Sequence, residues 1–108
     1  MNDRELLELA ARAAGYQFSY SYRSLSSPAV PVILAETGRW RQWDPRHDDG
    51  DALRLAVDAG ILDGNAFSVW LNYRNGAMAI EGLGAREATR LAFVRVAAEI
   101  GKSIGGGE

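Results

Sequence analysis

The sequence predicts a single α+β domain of order α-β-β-α-β-β-α, a sandwich whose four-stranded, mostly antiparallel sheet is packed by helices. Three observations carry that expectation. Apolar residues recur at helical spacing in three separate stretches, near the start, after Pro45 and near the end. Between them lie segments in which apolar and polar residues alternate, the period of a half-buried strand. Asn75-Gly76 is the preferred pair for a two-residue type I′ hairpin turn.

At the start, Asn2 is a good N-cap and Glu5 stands three residues on, as in a capping box. Leu6, Leu9, Ala10 and Ala13 then recur at helical spacing before Gly15, which predicts a helix over Asp3 to Ala14. From Tyr16 the period changes to two. Tyr16, Phe18, Tyr20 and Tyr22 alternate with Gln17, Ser19, Ser21 and Arg23, aligning four rings on one strand face. Ser24 to Ala29, serine-rich with Pro28, is expected to be a loop. Val30 to Glu36 is an apolar, β-branched run suited to a buried strand, with Pro31 at its start or on an edge because it has no N–H to donate. After a turn at Thr37-Gly38, Arg39 to Trp43 extends the sheet.

Pro45 discourages helix at Asp44, so a second helix should begin beyond it, capped by Asp48 or Asp49 with Asp51 in the first turn, where the helix dipole favours negative charge. Leu53, Ala56, Val57 and Ile61 form its apolar stripe, with Leu55 beside it, and Gly60 its left-handed stop. In the Asn75-Gly76 hairpin, spanning Phe67 to Glu81, Tyr73 should face Met78 and Leu71 should face Ile80. The reverse face then holds Ser68, Trp70, Asn72, Ala77 and Ala79. A last helix from Ala85 to about Gly101 presents Ala85, Thr89, Ala92, Phe93, Val96 and Ile100 on one face. The domain is expected over residues 1–102, with a flexible tail over 103–108.

Composition narrows the function. A chain of 108 residues, 47% apolar, suits one core. Its net charge of -2, with acids and bases interleaved, disfavours direct nucleic-acid binding. The absence of cysteine removes disulfides and thiolate chemistry, as expected for a reducing cytoplasm, and no apolar run approaches the roughly 18 residues that a membrane span needs.

The candidate chemistry is thin. His47 with Asp48, Asp49 and Asp51 is the single place for a metal or acid-base site, but as a calcium loop it would put Pro45 and Ala56 at ligand positions, and helix capping explains the aspartates more simply. Gly101-Lys102-Ser103 mimics the end of a phosphate-binding loop, yet the earlier glycine it requires falls at Val96 inside a helix. Gly82-x-Gly84 fails as a dinucleotide fingerprint because position 87 is Glu. The expectation is therefore a non-enzyme with no catalytic residues, metal or cofactor. Arg39, Trp40, Arg41, Trp43 and Trp70 are the candidate partner-binding residues, amphipathic rings beside arginines. Leu91, Val94 and Ala98 form a second stripe on the last helix, for self-association or for packing on the first helix. The aromatic row with Arg23, Arg39 and Arg41 is the raw material of a nucleotide pocket, although alternating rings on a strand are more often core.

Several blocks act together as a signature: Gly15-Tyr16 at the end of a short first helix, Trp43-Asp44-Pro45, Asp48 through Val57 (DDGDALRLAV), and Arg86-Glu87-Ala88-Thr89-Arg90 leading to Ala97 through Gly101. This combination resembles small phage and prophage proteins of the phage α-β-α sandwich type. The DDGDALRLAV block is its specific part and the strands are generic. The resemblance implies a bacteriophage accessory protein with an αββαββα sandwich, and carries over no catalytic or ligand residue. The expected function is that of a phage-encoded binding protein acting on a host protein or protein complex in the host cytoplasm, with counter-defence, for instance an anti-CRISPR role, as its sharpest form. The alternatives are a protein that sequesters a nucleotide signal and a homodimeric accessory protein.

Overall fold

The computed structural model describes residues 2–21 and 29–105, which form four helices and one three-stranded antiparallel sheet. Helix α1 spans Asp3–Ala14. Strands β1 (Phe18–Ser21), β2 (Val30–Leu34) and β3 (Trp40–Gln42) follow, and then helices α2 (Asp49–Asp58), α3 (Gly64–Ala79) and α4 (Ala85–Gly105). The class is α+β, but the expected four-stranded sheet is not present. The segment read as a hairpin across Asn75-Gly76 is helix α3. Tyr22, Arg23 and the serine-rich loop as far as Pro28 lie outside the described residues.

Local chemistry accounts for both ends of α1. Asn2 Oδ1 accepts the Glu5 N–H at 2.9 Å, and Gly15 takes φ 78°, letting its N–H and that of Tyr16 reach back to the carbonyls of Arg12 and Ala11. The sheet runs in the order β1-β2-β3, with Phe18 opposite Ile33 and Ile33 opposite Arg41. Because side chains alternate along a strand, Phe18, Ile33 and Arg41 share the inner face, while Val32, Leu34, Trp40 and Gln42 share the outer one. Trp43, just beyond β3, is 1% exposed; the rings of Tyr16 and Phe18 meet it edge-on at 5.7 and 5.8 Å. Those rings join the sheet to the helices.

Helix α4 is the axis of the fold, with α1, α2 and α3 packed around it. It is apolar on nearly every side, as a central helix must be: Leu91, Ala92, Phe93, Val94, Val96, Ala97 and Ala98 are all buried. Against α1 the approach is backbone to backbone. A Cβ placed on Gly101 would stand 1.9 Å from the Leu9 carbonyl oxygen, so no side chain fits there. The helix runs on through Gly105, and Ser103 and Ile104, expected in a tail, are helical and exposed.

Helix α3 forms for a tertiary reason. Trp70 and Ala77, seven residues apart, are buried and Ala66 and Arg74 are partly so, which is the 3.6-residue period of one helical face. Trp70 stacks on Phe93 of α4 at 5.1 Å and 23°. Covering the apolar side of α4 outweighs the turn preference of Asn75-Gly76 and the mediocre helix propensity of the segment. The stripe on α2 is also displaced. Ala52, Leu55 and Ala56, with Ile61 beyond the helix, are buried, whereas Leu53 and Val57 point outward at 54% and 59% exposure.

Candidate functional site

The aspartates after Pro45 divide their work. Asp48 caps α2 by accepting the Asp51 N–H at 2.8 Å. Asp51, 5% exposed, accepts from Arg41 Nη1 and Arg54 Nη2, both at 2.9 Å, and from the Asp44 N–H at 3.0 Å. Burial pushes this carboxyl up, but the bonds from Arg54, the Asp44 amide and Arg41 together outweigh it and hold the group below its usual value. Gly50 makes room for the arrangement. A Cβ there would lie 3.1 Å from Arg54 Nη2, so glycine lets the guanidinium fold back across the first helical turn.

The remaining charges tie this corner to its surroundings. Asp49 receives Arg90 Nη1 at 2.7 Å, Arg90 Nε donates to the Arg46 carbonyl at 2.8 Å, and Arg46 meets Asp3 at 2.7 Å. His47 is exposed, with Nδ1 3.0 Å from Asp44 Oδ1. The carboxylates are thus spread over several partners: Asp44 meets His47, Asp49 meets Arg90, and Asp48 and Asp51 share Arg54. Among the described residues no three His, Cys, Asp or Glu side chains cluster where they could hold a metal ion. The corner binds β3, the Trp43-Pro45 segment, α2 and α4 to one another.

Beside it opens a recess of about 890 Å³, between the end of α1, the β2–β3 turn and α2. Tyr16, Arg41, Arg54, Asp58 and Glu36 stand around a floor that includes Ile33 and Ala35. The Tyr16 hydroxyl donates to Asp58; burial first, and then this carboxylate, raise the phenol well above its ordinary range. Both arginines are shared with Asp51, and Asp58 and Glu36 balance their charge, so the recess has no surplus of positive charge for a phosphate. Of the described rings of the aromatic row, Tyr16 lines it and Phe18 and Tyr20 do not. Phe18 turns to Trp43, and Tyr20 lies under the Arg4 guanidinium at 4.6 Å.

The five candidate partner residues separate. Trp43 belongs to the core, and Trp70, 8% exposed, is sandwiched between Phe93 and Phe67; neither can anchor a partner. Arg41 is committed to Asp51. Arg39 and Trp40 are exposed, Trp40 by 50%, beside a hollow of about 210 Å³ formed by Ser21, Val30, Val32, Trp40 and Gln42 on the outer sheet face. Leu91, Val94 and Ala98 are buried within the chain, so they cannot form a surface stripe on this fold. A surface missed by sequence reasoning lies on α3, where Phe67, Val69, Tyr73, Met78 and Ile80 are exposed. Its signal is the spacing Val69, Tyr73, Gly76, Ile80, a helical i, i+4, i+7, i+11 row hidden inside a segment that also alternates.

Comparison of the chain with family models, curated proteins and solved structures gives no match. No helix of the described residues is long and apolar enough to cross a membrane.

Proposed function

We propose that this chain is a non-enzymatic binding protein of phage or prophage origin that docks on a host protein through the outer face of its sheet, with Trp40 as anchor and Arg39 at its side. The carrying observation is the half-exposed Trp40 ring beside a small hollow of mixed polarity, lined by Val30 and Val32 as well as Ser21 and Gln42, on the face opposite the core side chains Phe18 and Ile33. Tryptophan and arginine are the residues that most often dominate binding energy at protein interfaces, and an adjoining pocket is where such anchors act. The charged side chains of the Asp51 corner are engaged with one another, which leaves them a structural role and favours binding over catalysis. The phage origin, a host-cytoplasmic location and a counter-defence role such as CRISPR inhibition come from the sequence resemblance. Sequestration of a nucleotide signal is the weaker reading, because the charges lining the recess cancel.

The test is capture of host proteins by the intact chain and by Trp40→Ala. The exposed ring makes Trp40→Ala neutral for the melting temperature, while a partner held by this face is lost, with affinity falling at least about 30-fold for a hot-spot residue. A partner retained equally by the variant refutes the docking face. A melting temperature that rises with a nucleotide would favour sequestration instead.

A further inference from the structure

Gly76 and Gly101 both lie beyond the first turn of a helix, and they differ. Gly101 is required by its neighbour, since the Leu9 carbonyl leaves no space for a Cβ. At Gly76 a Cβ would meet nothing within 4 Å, so nothing in this chain accounts for placing the residue that weakens a helix most, apart from proline, in the last turns of α3. Gly76 stands in a row with Val69, Tyr73 and Ile80, which are 43%, 36% and 87% exposed. A bulky ring and a bare backbone are thus neighbours on one apolar helical row.

We infer that this row of α3 is the contact surface of a two-fold homodimer, in which each Tyr73 ring packs over Gly76 of the other copy. An isologous contact needs a surface complementary to itself, and a large residue beside a small one, with the axis between them, meets that need. Charge permits it as well. The single charged side chain of α3 is Arg74, which lies over the Trp70 ring at 5.9 Å on the packed side, and the nearby Glu81 and Arg95 neutralise each other at 2.6 and 2.8 Å. Beside Tyr73, Asp3 and Arg46 also pair, at 2.7 Å, and Glu99 lies on the same hollow, so most of the charge around the row is compensated. At about 200 Å² for a fully exposed large side chain, the row offers about 300 Å² of apolar area per copy, or, with the usual polar share, a contact of about 1,000 Å² over both copies. That is the lower end for a specific interface, so the dimer forms in a concentration-dependent way. The surface is separate from the Trp40 face, because α3 packs on α4.

Light scattering and sedimentation of the full chain from micromolar to millimolar concentration test this. The mass should climb from the 11.7 kDa of one chain towards twice that value. Gly76→Leu should keep or raise the melting temperature yet stay at the mass of one chain, and Ile80→Lys, at a side chain 87% exposed, should also stay monomeric. The chain has no cysteine, so Tyr73→Cys should give a disulfide-linked dimer on oxidation and Ser68→Cys, on the far face of α3, should not. A native chain that remains monomeric at the highest concentration, or a dimer that survives both Gly76→Leu and Ile80→Lys, overturns the inference.

Discussion

The seam between α1 and α4 and the seam between α3 and α4 use the same central helix in opposite ways. Along the first, small residues (Ala10, Ala11, Ala97, Ala98, Gly101) bring two backbones into contact, and one added methyl group has nowhere to go. Along the second, large rings (Phe67, Trp70, Phe93) hold the helices together, and side chains on both flanks of α3 remain exposed. The first seam is complete within the chain; the second buries only the middle of an apolar arc. Close packing and ring stacking both stabilise, but the close-packed seam leaves no volume for an added methylene. Between them lies the α2–α4 contact, tied by Arg90 to Asp49 and flanked by the Asp51 corner.

The largest effect is expected at the tight seam. Gly101→Ala forces the Leu9 backbone to move and should cost about 3 kcal/mol, the upper part of the usual range for overpacking, read from urea denaturation. Next comes the polar corner. Asp51→Asn leaves two guanidiniums without their shared carboxylate, and with Arg41 and Arg54 both partly in solvent the cost should be about 2 kcal/mol. Since the folded carboxyl is held below its ordinary 3.8, its contribution is present above that pH and lost as pH falls through the lower folded value. The native chain should therefore lose more stability than Asp51→Asn when acidified below about pH 4. Tyr16→Phe removes one partly buried hydrogen bond to Asp58, at about 1 kcal/mol. Its raised phenol works in the opposite direction on the pH scale: the contribution is full below the ordinary value of 10.0 and declines as pH rises from there towards the folded value. The tyrosinate absorbance gained on alkaline unfolding should be smaller in Tyr16→Phe than in the native chain, which checks this. The smallest effect has the opposite sign. Gly76→Ala, with open space at its Cβ, should raise the stability of the monomer by about 0.5–1 kcal/mol, and a loss instead would mean that the loose seam is tighter than described.

Much of the frame was legible wherever a local signal and the tertiary demand agreed. Asn2, Gly15, Asp48 and Gly60 mark helix ends by backbone chemistry that acts within a few residues, β1 follows from alternation, β2 from an apolar, β-branched run, and β3 from the turn at Thr37-Gly38. At Phe67 to Ile80 the two disagreed. Asn75-Gly76 and the alternating apolar residues favour a hairpin, whereas the partner that decides the outcome, the Phe93 side of α4, is more than ten residues away in sequence. The tryptophans show the same limit. Trp40 and Trp43 are three residues apart and similar on paper, but one is at the rim of β3 and the other lies under Tyr16 and Phe18, a difference set by the path of the sheet. Asp51 was expected to serve the helix dipole; that it also gathers Arg41 from a strand ten residues earlier needs the fold to be seen.

The placement of the three indoles makes the chain its own optical gauge. Trp40 alone should be reached by a water-soluble quencher such as iodide, so dimming of that component reports on the sheet face. Trp43, enclosed by two rings, should emit at short wavelength until the whole molecule unfolds, and Trp70 should brighten or redden as soon as the third helix lifts from the fourth. Single-tryptophan variants would thus watch binding, global melting and local opening separately, without any attached dye.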